Sequence, residues 1–198
     1  MKSIEIKGFK RETLGKKATK QLRKDGNVPC VLYGGDEVVH FYAPVNDFRH
    51  LFYTPNVYIV NIDVDGKKYP TILKDAQFHP VTDTPLHVDF LQIHDDKPVV
   101  IDIPVKTEGF ARGVQAGGIL GIEKRKLTVK GLPKHLPDEL VINVEDLDLA
   151  KTKKVGDLKF DNLELMNAAN AVVVAVRLTR AARAAQQEVQ PQEEVTEE

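Results

Sequence analysis

Apolar and polar residues alternate with a period of two along most of the first ninety positions, the pattern of strands with one buried face. Ser3 to Lys10 sets Ile4, Ile6 and Gly8 against Glu5 and Lys7 and predicts a strand. VPCVLYGG, from Val28, predicts a buried strand closed by the Gly34-Gly35 turn, with another strand around Val38–Tyr42. Asn56–Val64 and Lys67–Lys74 alternate again, and the Asp65-Gly66 between them is the strongest hairpin signal in the chain. Leu86–Ile93 puts Leu86, Val88 and Phe90 on one face and His87, Asp89 and Leu91 on the other. Two stretches break the period. GKKATKQLRKDG predicts a short helix with Ala18 and Leu22 as its i, i+4 apolar pair and Gly26 as a left-handed C-cap. Asn46 to Phe52 predicts one or two further helical turns. Six strands and short helices within 94 residues predict a small β-barrel.

HDDKP at 94–98 is a polar break ending in proline, and the expected domain boundary lies there. Beyond it VVIDIPVKTEG, RKLTVKGL, ELVINVED and AVVVAVRL read as strands. FARGVQAGGILG, with Gly113, Gly117, Gly118 and Gly121, reads as a loop. From Thr179 onward a brief Ala-rich helical propensity gives way to an acidic, Gln-rich tail with the composition of a disordered segment. The expected fold class is therefore mainly β. An N-terminal small β-barrel with short helices spans 1–94, an all-β C-terminal domain spans 95–179, and a disordered acidic tail spans 180–198.

Composition narrows the function classes. The chain has 198 residues, 42% of them hydrophobic, enough for a real core and against wholesale disorder. No run of eighteen apolar residues exists, so a helical membrane span is excluded, and the N-terminus has no signal-peptide apolar block. The single cysteine, Cys30, makes neither an internal disulfide nor a cysteine-based zinc cage. A cytoplasmic location follows as the expectation. The net charge of −1 hides an uneven distribution: residues 1–35 hold nine cations and three acids, a balance of +6, and leave −7 on the remaining 163. A compact basic end on an otherwise acidic chain suits a polyanion partner, because Lys and Arg displace phosphate counterions. The plainer alternative is a solvated helix face compensated elsewhere in the fold.

The segment RETLGKKATKQLRKDGNVPCVLYGG, followed by HPVTDTPLHVDF at 79–90, resembles the bacterial large-subunit ribosomal protein family that binds 5S rRNA, in its two-domain CTC (general stress protein) branch. The elements carrying the resemblance occur in order: Arg11, Gly15-Lys16, Leu22-Arg23, Pro29, Tyr33-Gly34, His79-Pro80 and His87-Val88-Asp89-Phe90. Past the boundary, GLPKHLPDELVINVEDLDL and KVGDLKF resemble the family's second domain. Lys17 and Gln21 stand at positions that vary within the family, and the final twenty residues match nothing firm. The resemblance implies a non-catalytic constituent of the large ribosomal subunit, cytoplasmic on the ribosome, needing no cofactor or metal. It implies 5S rRNA as the partner of the first domain and other rRNA and ribosomal proteins as partners of the second, with the protein a monomer within the ribosome and no membrane involved. RNA contacts are expected from Arg11, Lys16, Lys20, Arg23, Tyr33, His87 and Asp89.

These residue types suit structured RNA, which displays phosphates and 2′-hydroxyls and exposes readable bases where pairing is irregular. Arg11, Lys16, Lys20 and Arg23 supply cations, and Arg suits bidentate phosphate contact. Tyr33 supplies a ring with a hydroxyl. His87 and Asp89 share a strand face about 7 Å apart. An Asp near phosphates is electrostatically costly, so its use implies a specific donor such as a guanine edge or a 2′-hydroxyl.

Plainer readings stand beside these. On the residues alone Tyr33 reads more simply as a barrel-rim core tyrosine, and His87 and Asp89 can form a local pair or brace the loop HPVTDTP. His79 reads more readily as a loop-structuring residue than as a ligand, and Cys30 as a small core hydrophobe. The competing functions are a stress-related RNA-binding or regulatory protein acting off the ribosome and, more remotely, a metal-dependent enzyme using His79, His87 and Asp89. Against the enzyme, no third ligand has confirming spacing, Cys30 has no evident histidine base, and AGGILG lacks the strand and helix of a phosphate-binding loop.

Overall fold

In the computed structural model, which describes residues 2–179, the alternating segments close into a six-stranded barrel. Its strands are β1 (Lys2–Lys10), β2 (Asn27–Tyr33), β3 (Val39–Pro44), β4 (Tyr58–Val64), β5 (Lys67–Phe78) and β6 (Pro85–Gln92). They follow one another around the barrel as β1-β3-β2-β6-β5-β4, with β4 returning to β1. Two neighbouring pairs, β1 with β4 and β2 with β6, are parallel, and the other four are antiparallel. Every inward position of β2 is apolar: Val28, Cys30 and Leu32 are all buried, so Cys30 is the core hydrophobe expected of it. They join Ile6, Phe41, Val60, Ile62, Val88 and Phe90 in the core, with Phe48 packed in from the chain between β3 and β4.

Local signals hold where they were strong. Asp65 and Gly66 both have positive φ, at 52° and 82°, and join β4 to β5. The helix α1 spans Lys16–Lys24, ends at Asp25, and is followed by Gly26 at φ 77°. The stretch expected to make helical turns is a 3-10 turn, Val45–Phe48, running into α2, Arg49–Phe52. One strand is longer than alternation predicts. β5 continues past Lys74 to Phe78 because a bulge between Leu73 and Asp75 absorbs one residue and resets the inward-outward order.

Beyond the barrel strands come β7 (Val99–Glu108), α3 (Arg112–Gln115), β8 (Gly118–Ile122), β9 (Lys126–Gly131), β10 (Leu140–Asn143), β11 (Thr152–Lys154), β12 (Glu164–Leu165) and β13 (Val172–Leu178). They form a four-stranded sheet, β10-β7-β9-β12, and a three-stranded sheet, β11-β13-β8. By contact density the chain divides into two units, one of Met1–Pro104, Val129–Asp138 and Asn162–Glu164, and one of Val105–Thr128, Glu139–Asp161 and the residues from Leu165. Within the second unit Leu127, Leu140, Ile142, Val144 and Val173 to Val176 are buried.

The stretch read as a glycine-rich loop is instead a helical turn and a strand. A Cβ on Gly118 would lie 2.5 Å from Val176 and 2.7 Å from Leu149. Its glycine serves close packing of β8 on its surroundings. The acidic tail, 180–198, lies outside the described residues.

Candidate nucleic-acid interface

The basic helix is positioned by the strands it connects. β1 and β2 run parallel with β3 between them, so the chain must cross over β3, and α1 makes that crossing. Ala18, Thr19 and Leu22 are half-buried, whereas Lys16, Lys17, Lys20, Gln21, Arg23 and Lys24 are exposed. Ala18, Gln21 and Leu22 border a groove whose other lining includes Tyr42 of β3. Among the described residues no carboxylate forms a salt bridge with any cation of α1. The helix also begins without a side-chain cap, at Gly15 with φ 114°. Uncapped amides at a helix start favour anions, as do the lysines around them.

Two arginines hold this helix in place. Arg11 donates from Nη2 to Thr19 Oγ1 at 3.1 Å, and its own amide donates to the His40 carbonyl at 2.9 Å. Its Nε is enclosed without a hydrogen-bond acceptor. At the other end, Arg23 Nε donates to the Leu86 carbonyl at 2.9 Å, fastening the last turn of α1 to β6. Both therefore combine a positive charge with a bracing role.

β6 carries the recognition candidates. His87 and Asp89 lie on the outer face, as alternation predicts, and His87 Nδ1 is 2.8 Å from Asp89 Oδ1. They form the local pair that the sequence left open. An ionised carboxylate only accepts, so Nδ1 carries the proton and a neutral ring leaves Nε2 as an acceptor. The pair then presents an imidazole nitrogen and the second carboxylate oxygen, an acceptor set suited to an amino or hydroxyl donor.

Parallel pairing of β2 with β6 places Tyr33 beside Leu91 and Val31 beside Asp89. The Tyr33 phenol is pushed up from its usual value, first by burial and then by the negative charges of Asp89 and Asp75. Tyr33 is half-buried and joins the Asp89 cluster on the outer face.

The bulged end of β5 adds two residues that sequence reasoning missed. Asp75 pairs in register with Asp89, and Gln77 with His87. Alternation through LKDAQ gives no sign of this, because the bulge interrupts it. A second omission had a signal: period two puts Phe9 on the face of Glu5 and Lys7, and its ring stacks on Tyr42 with centroids 5.5 Å apart.

The metal-site reading finds no support here. His79 uses Nδ1 to accept from the amides of Val81 and Thr82, both at 3.3 Å, which makes it the loop-structuring residue of HPVTDTP. Among the described residues no three His, Cys, Asp or Glu side chains gather in a metal-binding group.

Comparison with known proteins covers both halves. Residues 6–90 match the Ribosomal L25p family, and residues 98–180 match the family described as ribosomal protein TL5, C-terminal domain. The large ribosomal subunit protein bL25 of Azobacteroides pseudotrichonymphae is 57% identical over 184 residues, covering 92% of this chain and 97% of its own length. The protein of the same name from Bacteroides fragilis is 54% identical over 190 residues, covering 93% of this chain and 97% of its own. That of Porphyromonas gingivalis is 51% identical over 187 residues, with the same coverage.

Proposed function

The chain belongs to the Ribosomal L25p family of bacterial large-subunit proteins, and from that membership we propose that it binds 5S rRNA through its N-terminal barrel. As a family member it is a structural constituent of the large ribosomal subunit and not an enzyme, and its place is the ribosome. Residues 1–94 are the RNA-binding domain of this reading. Lys16 and Lys20 meet phosphates, Arg11 and Arg23 hold α1 while adding charge, and Tyr33, His87 and Asp89 read a base edge or ribose donor. Residues 95–179 form the second domain, which contacts other rRNA or ribosomal proteins, and the protein acts as a monomer within the subunit.

The observation that carries the reading is the bond from Arg23 to the Leu86 carbonyl. It sets a helix of unpaired cations beside the strand whose next outward residues are His87 and Asp89. Phosphate attraction and donor recognition are thereby adjacent, as a structured RNA requires.

Titration of the protein, and of residues 1–94, against 5S rRNA and a control RNA of equal length tests it. Preferential binding of 5S rRNA by both is expected. Equal affinity for the control would leave only non-specific attraction and would overturn the reading.

A further inference from the structure

Among the described residues two strongly exposed phenylalanines have aromatic partners. Phe78 meets Phe52 edge-on, whereas Phe9 lies across Tyr42 in a stack, with an interplanar angle of 29°. Phe9 is 52% exposed although β1 offers it no core to cover on that face. A stacked ring held open to solvent is an unfavourable arrangement for a barrel and a useful one for a flat ligand.

Its surroundings say which ligand. Lys7 shares the strand face two residues earlier, and Lys10 and Arg11 follow directly. Tyr42, Lys10 and Arg11 also line the groove beside α1, with Glu12, Thr13, Gln21 and Asp25 among the other lining residues. Asp25 is held by Gln21, whose Nε2 donates to its Oδ1 at 3.0 Å. A phosphate in this groove would meet Glu12 and Asp25, which repel it. A base lying on the rings would instead turn its amino donors toward those acids and leave its phosphate to the lysines. The platform reaches the interface already described through α1, because Tyr42 lines one groove with Ala18, Gln21 and Leu22. Phe9 pairs with Tyr42, Tyr42 with Pro29, and Pro29 precedes Cys30, which pairs with Val88. Phe9 thus lies three strands around the six-stranded barrel from His87, on the opposite side of it, with α1 crossing between them.

We propose that Phe9 and Tyr42 form a stacking platform for one unpaired nucleobase of the bound RNA, separate from the contact made by His87 and Asp89. The proposal rests on the reading of the barrel as an RNA-binding domain. A base on such a platform contributes sequence-tolerant affinity and no net charge.

The test uses the full chain with purified 5S rRNA, comparing the wild type with F9A and F9W. Phe9 is exposed, so neither variant disturbs the core, and the sequence contains no tryptophan, which makes the F9W indole a unique reporter. F9A is expected to weaken binding by five-fold to about a hundred-fold, the usual range for a lost base stack, with the salt slope unchanged. F9W is expected to restore affinity, and its fluorescence to be quenched on saturation. Wild-type and F9A proteins binding equally, or an unquenched indole in saturated F9W, would overturn the platform while leaving the parent reading intact. An F9A protein that binds 5S rRNA normally but enters subunits poorly would overturn it in favour of a protein partner. Failure of the wild type to bind 5S rRNA would overturn the parent reading and this proposal with it.

Discussion

Arg23 donates a hydrogen bond from the last turn of α1 to the carbonyl of Leu86, 63 residues away in sequence and one residue before His87. This contact ties the helix that carries the cations to the strand that carries His87 and Asp89. It also gives Arg23 a role that charge alone does not describe, since Nε rather than the terminal nitrogens makes the bond.

Arg23→Lys keeps the charge and loses that geometry. The salt dependence of 5S rRNA binding should therefore stay close to wild type while affinity falls. Arg23→Ala should lower affinity further and flatten the slope of log K against log salt by about one unit. Identical affinities for the wild type and Arg23→Lys would show that the bond to Leu86 does not matter for binding.

Asp89→Asn removes a charged acceptor and the anchor of the His87 ring without changing size. The expected result is a loss of about 1–3 kcal/mol in discrimination between 5S rRNA and a control RNA, as for a donor left unsatisfied. Non-specific affinity should be unchanged or slightly higher, because a negative charge has gone. Parallel losses on both RNAs would make Asp89 purely structural.

Residues 1–94 alone should bind 5S rRNA with nearly the affinity of the full chain, since every proposed contact lies within them. If four to six phosphates are neutralised, the salt slope should be roughly −3 to −5. Measured binding that is independent of salt would remove the electrostatic basis of the interface.

Gly8→Val tests the barrel itself. A Cβ on Gly8 would lie 2.5 Å from the Phe41 ring and 3.3 Å from Val64, both buried core residues. Overpacking of this kind costs about 1–3 kcal/mol, which should appear as a lower denaturant midpoint. An unchanged midpoint would mean that the ring moves aside freely.

The Tyr33 phenol should titrate above the ordinary tyrosine range, and Tyr58 below it, because the Asn56 side-chain amide donates to the Tyr58 hydroxyl. For Tyr33 the folded state favours the neutral form. Its contribution to stability is thus complete below the unfolded value of about 10 and is lost as pH rises through the folded value. Ultraviolet titration of Tyr33→Phe against the wild type isolates this phenol. Asp89→Asn should move it back toward the normal value, and no movement would leave burial and Asp75 as the cause.

Much of the barrel was legible from local pattern. Period two marked four of the six strands and an unbroken apolar run marked β2, Asp65-Gly66 marked the hairpin with both residues at positive φ, and the apolar pair Ala18 and Leu22 marked the inner face of α1. The shared face of His87 and Asp89 follows from the same rule, since neighbouring side chains of a strand must point to opposite sides. Their hydrogen bond does not follow, because side-chain torsions bring 7 Å of strand down to contact only in one arrangement.

Pairing between distant strands was decided by tertiary structure. Alternation says that a strand has an inner face, but not that β1 closes on β4 and β2 lies against β6. Those choices come from burying all the inner faces around Phe41 and Phe90 at once, a condition that no single segment expresses. The same closure permits the bulge at Lys74, which brings Asp75 to Asp89 by breaking the very periodicity that located the strand. Gly118 shows the converse: its lack of a side chain signalled a loop locally, yet the neighbours that require that lack, Val176 and Leu149, come from far along the chain. Periodicity is a property of a few consecutive residues and survives in the sequence, whereas register and close approach depend on which surfaces meet.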